Sequence, residues 1–485
     1  MAGNASVGNT PQMRIDPKVV RKWVYLIIGL LILTASCLMP ALGDLKPQGV
    51  KTLGVMVTTV FFWVTETLPI PVTGLLVLIM LHITGAMTFN KVIAQSFGDP
   101  FVPFVIGCLA LAVAFQQSGL GKRITYLMLS VSGTKATRIL HTYFWISFVI
   151  SAFITDVAVT AMMLPIALSL AKSIGSQPGK SNFGICLMFA ITFGAIFGGL
   201  CTPSGVPSNI ITISFLEKNA HLTVTFLEWT MIATPIAIVL GIFSQWLTLR
   251  LFPPEIQSLP YGQDVIKKDL KDMGDWTREE KTTFVVFMVA VLLWLSGNWN
   301  KLPVPLVALV IVVLLTLPGI SAFKGWREIE SKLEWGALML MVGGFSLGVA
   351  AYENGLASWA AKYALKPLST LPLYMQPFAI TLLVAIDSLG FSSFTAASSV
   401  NVPLTIAYAQ QNGFPCLSMA MTAGLASSTH FILVTESLCC VLTYASGYYT
   451  FKDMFKIGTI LTIASAIVIA LGLTIAGLPA GTPIK

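Results

Sequence analysis

The residues best placed to do chemistry lie where polar groups interrupt long apolar runs. Thr155-Asp156 sits inside a run from about Leu140 to Leu170. A single crossing of a bilayer needs roughly 20 apolar residues. A run of some 30 broken by hydroxyls, a carboxylate and Pro165 therefore predicts two half-length helices meeting at a polar tip. Irregular backbone is tolerated at membrane depth only where protein buries it or a cavity lies beside it, and an ionisable group there marks a site. Asp156 could equally cap the second half-helix, since a helix start can also face a ligand. Ser393-Phe394-Thr395 breaks a second run in the same way. Its hydroxyls, with those of Ser398 and Ser399, could bind a ligand or pack helices.

Gly198-Gly199-Leu200-Cys201-Thr202-Pro203-Ser204-Gly205-Val206-Pro207-Ser208-Asn209 forms a third break, since glycine and proline end helices. The amides and carbonyls it frees could hold an anion or a cation. Thr429-His430 and Thr435-Glu436-Ser437 place two titratable groups in a late apolar run. His430 and Glu436 could compensate charge on a substrate or cation, or serve packing. Glu66 reads as a boundary carboxylate that fixes a turn, and no role suggests itself for Asp387.

The elements that position these groups follow from composition. The chain has 485 residues, 55% hydrophobic and 10% charged, against about 25% charged in soluble domains. This describes an all-α polytopic membrane protein. Its net charge of +8 comes from basic residues in short loops, which positive-inside topology explains without nucleic acid. The seven cysteines show no metal spacing and read as small hydrophobes. No nucleotide, hydrolase or protease motif is found, so an enzyme is not expected.

Thirteen apolar runs, two read as re-entrant hairpins (about 138–172 and 375–410), leave eleven transmembrane helices. Lys and Arg fall on one side if the N-terminus is cytoplasmic, which puts the C-terminus outside a multi-pass cell-membrane protein. The expected organisation is a cytoplasmic tail over 1–22, a first span and first repeat over 23–252, a cytoplasmic linker over 253–281 and a second repeat over 282–485. Leu68-Pro69-Ile70-Pro71 is echoed by Leu302-Pro303-Val304-Pro305, and Gly107 with Gly119-Leu120 by Gly343 with Gly355-Leu356. Thr155 precedes Pro165 by ten residues, as Ser393 precedes Pro403. Five spans plus a hairpin per repeat make the second copy inverted. Inverted repeats with broken helices characterise secondary transporters.

At this point the chain resembles a family, the divalent anion/sodium symporters, or dicarboxylate transporter group. The resemblance runs over nearly the whole length. It is carried by Trp63-Val64-Thr65-Glu66-Thr67-Leu68-Pro69-Ile70-Pro71-Val72-Thr73, by Phe97-Gly98-Asp99-Pro100 through Gly119-Leu120-Gly121-Lys122-Arg123-Ile124, by Ala161-Met162-Met163-Leu164-Pro165, and by Ser446-Gly447-Tyr448 with Phe451-Lys452-Asp453-Met454. It implies a homodimer in which a mobile domain carries a small dicarboxylate across the bilayer by an elevator mechanism. It also implies substrate contacts from Thr155, Asp156, Thr202, Pro207, Asn209, Ser393, Thr395 and Ser437.

The family's two Ser-Asn-Thr tips are altered here to Thr155-Asp156-Val157 and Ser393-Phe394-Thr395. Phe394 offers no oxygen to a hard cation, so sodium is expected at the first site only, with Ser151, Thr155, Asp156 and Gly199 as candidate ligands. No other cofactor is expected. A charged Asp156 about 4 Å from a dianion would be repelled by about 4 kcal/mol at an effective dielectric of 20. It must be protonated, paired with a cation or turned away. The eroded second tip points to sodium-independent exchange of C4-dicarboxylates or 2-oxoglutarate. A sodium- or proton-coupled symporter is the alternative, and an anion channel the distant one.

Overall fold

The computed structural model describes residues 17–259, 262–318, 323 and 325–477. Among them the chain is helical, with two isolated β-bridges and no strand. Residues 1–16 of the expected tail and 478–485 at the C-terminus lie outside the described residues. The first helix begins earlier than expected, at Pro17, and runs to Leu38.

Among the described residues, seven helical stretches have the length and hydropathy to cross a membrane, two of them arms of the expected hairpins (Asp156–Ser173 and Leu373–Gly390), or eight if Phe101–Gln117 and Leu120–Ser130, bent by 60°, form one span. The eleven expected spans exceed this count for a physical reason. Ile70–Ile83, Val304–Thr316 and Cys416–Ala426 are apolar but short. At 1.5 Å per residue, the 14 residues of Ile70–Ile83 reach only about 21 Å against a hydrocarbon core of about 30 Å. Pro47–Thr65 and Arg278–Leu295 have the length but open on polar turns.

Both expected breaks within long apolar runs are present. Ala136–Ser151 and Asp156–Ser173 flank the first tip, and Gln376–Asp387 and Phe394–Asn412 flank the second. The arms of the first pair, 16 and 18 residues long, reach about 24 and 27 Å and are not half-length. Pro165 and Pro403 lie inside their helices and do not end them. The third break is as expected: Asn182–Leu200 ends at the double glycine, and Pro207 opens Pro207–Ala220 at a position where its missing N–H costs nothing. A counterpart break separates Cys416–Ala426 from Leu438–Tyr444.

Segments that correspond in sequence pack reciprocally. Ile70–Ile83 lies on Trp335–Glu353, and Val304–Thr316 lies on Phe101–Gln117. A Cβ on Gly343 would come within 2.4 Å of the Gly74 carbonyl oxygen, and one on Gly107 within 2.6 Å of the Ala308 carbonyl oxygen. The second arm of each pair packs against the half-helix that follows the other break: Asp156–Ser173 on Leu438–Tyr444, and Phe394–Asn412 on Pro207–Ala220. At the centre stands Asn182–Leu200, buried from Phe183 to its end. Gly194 and Gly198, one turn apart, let its backbone approach Ala136–Ser151; Cβ atoms there would lie 2.5 Å from the Phe144 carbonyl oxygen and 2.1 Å from that of Phe148. Such small-residue seams replace the hydrophobic effect as the glue between helices in lipid.

The 253–281 segment is more than a linker. It contains a helix, Gly262–Asp272, seated on Leu120–Ser130. Arg123, 4% exposed, donates through Nε to Glu280 Oε2 at 2.7 Å. It also donates to the carbonyls of Met273, Gly274 and Asp275 at 3.2, 2.9 and 3.1 Å. A buried charge is stable only when paired and fully hydrogen-bonded, so this guanidinium fastens the segment as a strap.

Replacing Gly194 by Ala is expected to destabilise the protein by about 1–3 kcal/mol, because backbone rather than a side-chain tip must yield. Gly297→Ala, where a Cβ meets nothing within 4 Å, should leave stability unchanged within about 0.5 kcal/mol. Thermal unfolding in detergent compares the two.

Candidate functional site

Both tips and both breaks meet at one cavity of about 630 Å³. Of the residues expected at a site, Thr155, Asp156, Pro207, Ser393, Thr395 and Ser437 line it. Four helices begin at its wall: Asp156–Ser173, Pro207–Ala220, Phe394–Asn412 and the short Leu438–Tyr444. Each helix start presents the positive end of a dipole to the cavity.

Thr202, Asn209, Ser151 and Gly199 stand one layer behind the cavity and hold the first tip in place. Thr202 Oγ1 donates to the Ala152 carbonyl. The Asp156 amide donates to the Gly205 carbonyl at 3.2 Å. Asn209 Nδ2 donates to the carbonyls of Gly199 and Thr202 at 2.9 and 2.8 Å, and more distantly to Leu200 at 3.4 Å. Asn209 therefore supplies a donor to the Gly199 carbonyl that the helix break frees, and shares the Thr202 carbonyl with the Gly205 amide and the Leu200 carbonyl with the Trp229 indole.

The same region holds oxygens with nothing to bind. Ser151 Oγ, Thr155 Oγ1 and Asn209 Oδ1 are buried without a hydrogen-bond partner. A Cβ on Gly199 would lie 3.5 Å from Ser151 Oγ and 3.1 Å from the Gly205 carbonyl oxygen, and one on Gly205 would lie 2.7 Å from the Ser151 carbonyl oxygen. Two hydroxyl oxygens and one amide oxygen of the first tip and break thus have no protein partner, and backbone carbonyls lie close to Ser151 and Gly199. Hard cations take such oxygen sets, so the residues present fit sodium.

Asp156 is 3% exposed. Its Oδ1 accepts from the Val157 amide at 2.9 Å, so the carboxylate caps its own helix while facing the cavity. It is not turned away. Cys439, at the start of Leu438–Tyr444, lies against it. Cys439 and Cys440, like the other five cysteines, are free.

The second tip is built differently. Ser393 makes no capping bond. Phe394 sets its ring edge-on to His430, with centroids 5.3 Å apart. The hydroxyls of Ser398 and Ser399 donate to the Thr395 carbonyl at 3.0 and 2.7 Å, so this part of the hydroxyl run serves its own helix. His430 and Glu436 do not line the cavity; they pair behind it, at 3.3 Å. Asp387 accepts from Asn401 Nδ2 at 3.2 Å.

Three charged residues at the cavity were not singled out as site residues. Glu66 does occupy a turn, with the left-handed φ of 47°, and its side chain also faces the cavity. Lys22 and Glu334 line it too. Lys22 was absorbed into the topology signal of the first span, and Glu334 sits just before an apolar run, where a carboxylate attracts no notice.

Replacing Asn209 by Ala removes the side-chain donor of the buried Gly199 carbonyl and weakens the bonding of the Thr202 carbonyl. The expected loss is about 1–3 kcal/mol of stability, measured by unfolding in detergent without added sodium or substrate.

The comparisons with known proteins agree with this geometry. Residues 20–477 match the family model described as the sodium:sulfate symporter transmembrane region. The sodium-dependent dicarboxylate transporter SdcS of Staphylococcus saprophyticus is 28% identical over 93% of this chain and 91% of its own. SdcS of Staphylococcus aureus is 27% identical over 92% and 89%. Two solved structures share the fold at low identity. The Alcanivorax borkumensis YdaH transporter has a TM-score of 0.55 at 16% identity, covering 81% of this chain and 89% of its own. Neisseria gonorrhoeae MtrF, described as illuminating a class of antimetabolite efflux pumps, has a TM-score of 0.56 at 12%, covering 96% and 95%. With a family model matched from the first helix to the last, the chain belongs to the sodium:sulfate symporter family of membrane transporters, the divalent anion/sodium symporters.

Proposed function

We propose that this protein is a sodium-coupled symporter of a small dicarboxylate. The observation that carries the reading is the meeting of four helix starts at one cavity. The positive ends of their dipoles offer a dianion a partner without an arginine. The names of the SdcS relatives support both substrate class and sodium dependence. The oxygens behind the first tip support one sodium there, with Ser151, Thr155, Gly199 and Asn209 as its holders. Sodium beside Asp156 offsets the repulsion between that carboxylate and the substrate. Thr155, Asp156, Pro207, Ser393, Thr395 and Ser437 then contact the substrate, and Thr202 and Asn209 position the first tip.

This reading displaces the sodium-independent exchanger expected from the second tip. Exchange remains the second reading, favoured by Phe394 alone. We further infer eleven crossings with both tips within the membrane, an inverted repeat, elevator movement of the two helix pairs with the broken helices, a homodimer, and a cytoplasmic N-terminus. Reciprocal helix packing supports the repeat, and the sequence resemblance supports the elevator and the dimer.

Uptake of labelled succinate, malate and 2-oxoglutarate into proteoliposomes tests the coupling. A sodium gradient should drive uptake into empty vesicles, with a simple hyperbolic dependence on sodium. Uptake that ignores sodium and needs internal dicarboxylate would overturn the symporter in favour of exchange. Ser151 Oγ has no protein partner to lose, so Ser151→Ala should keep the sodium-free unfolding temperature and lose most of the rise that sodium produces. A full sodium-induced rise in this variant would place the cation elsewhere.

A further inference from the structure

Behind the second tip lies a buried pair that the symporter reading does not use. His430 and Glu436 are 0% and 1% exposed. His430 Nε2 is 2.9 Å from the Ser427 carbonyl oxygen. That oxygen can only accept, so Nε2 holds a hydrogen. His430 Nδ1 is 3.3 Å from Glu436 Oε2. A hydrogen bond between these two atoms needs one proton on their axis, as imidazolium with carboxylate or as imidazole with carboxylic acid. Both arrangements are neutral overall. Without that proton, two lone pairs face each other and the pair carries a buried negative charge. Glu436 Oε1 has no partner at all, although a buried carboxylate normally uses both oxygens.

Phe394 and Ser437 link the pair to the cavity: both line it, Phe394 packs its ring nearly perpendicular to the imidazole, and Ser437 follows Glu436 in the chain. Other titratable groups near the pair are Asp387, at the end of Gln376–Asp387, which feels the charge of His430, and Cys440, which feels that of Glu436. Phe451–Ile475 contributes the neutral Thr462, whose hydroxyl accepts from the Phe431 amide at 3.1 Å. The loop over 427–437 stands to the second break as the Cys201–Val206 loop stands to the first. One break is surrounded by orphan oxygens, the other by a proton-sharing pair.

We propose that His430 and Glu436 form a proton-binding site coupled to the cavity. The pair takes one proton from water onto the Nδ1–Oε2 axis as the dianion binds, and returns it as the dianion leaves. The transported complex then carries a proton at the end where Phe394 leaves no place for a cation. Deprotonation would put a new negative charge near both Asp387 and the incoming dianion. Proton and substrate therefore favour each other's binding, by the same factor in both directions. The substrate-bound form holds more protons, so affinity rises as pH falls, by at most about tenfold per pH unit for one linked proton.

This inference rests on the proposed transport function, and one experiment separates the two. The full-length protein is reconstituted with a pH-sensitive dye in the lumen and saturating sodium. Labelled succinate is supplied at a pH where it is fully ionised, and protons moved per succinate are read for the wild type, His430→Asn and Glu436→Gln. The expected result is that wild-type uptake acidifies the lumen and that the apparent KM falls with falling external pH. In each variant the ratio of protons to succinate should drop at least tenfold, whatever rate remains, and the pH dependence of KM should flatten. Wild-type uptake without acidification overturns the proton site and leaves the symporter standing, a measurement that needs no variant to fold. Variants that acidify as the wild type does also overturn it, because the proton then travels on the substrate. Absence of sodium-driven uptake by the wild type overturns the transport reading and this one with it.

Discussion

The structure depends on one constraint: a helix interrupted inside a low-dielectric interior leaves backbone groups that water cannot satisfy. Four interruptions meet here. Where carbonyls are freed, a side chain is supplied to them, Asn209 at the first break and His430 at the second. Where helices restart, they border the cavity. The same defect that would destabilise an ordinary span thus turns the positive ends of helix dipoles toward the cavity.

That arrangement sets the polarity of the site. The lining carries Glu66, Asp156 and Glu334 against Lys22, an unfavourable balance for a dianion if side-chain charge were all that mattered. Helix starts offset that balance locally, and the proposed sodium would add to them. They can be weakened or strengthened by small movements of the tips, whereas an arginine would hold the substrate in every conformation. A carrier needs binding strong enough to select its substrate and weak enough to release it.

The tips were legible because proline, glycine and hydroxyl residues clustered inside an apolar run are costly to an unbroken helix. Thr155, Asp156 and Ser393 were located by that signal, and the reciprocal pairs Gly343–Gly74 and Gly107–Ala308 bring the repeated motifs of the sequence into contact. The length of the arms was not legible, because hydropathy does not tell where a helix begins once its first turn is polar. Nor was the docking of the strap, since Arg123 and Glu280 read as loop charges until they pair. Lys22 and Glu334 were hidden for a related reason: a charge at the edge of an apolar run looks the same whether it faces water or a cavity. The hydroxyls of Ser398 and Ser399 showed the opposite error, a polar run whose members mostly serve their own backbone.

The Arg123 strap also bears on how the chain is made. Its guanidinium is synthesised 157 residues before the carboxylate that pairs with it. Until Glu280 emerges, burying Arg123 would strand an unpaired charge at a cost of several kcal/mol. Leu120–Ser130 therefore cannot settle into its final seat when it leaves the ribosome. The first half of the protein waits, with Arg123 still in water, for a residue that belongs to the helix Arg278–Leu295. Completion of one half is thereby tied to the arrival of the other, and a chain cut short before Glu280 would retain an open, hydrated seam for quality control to recognise.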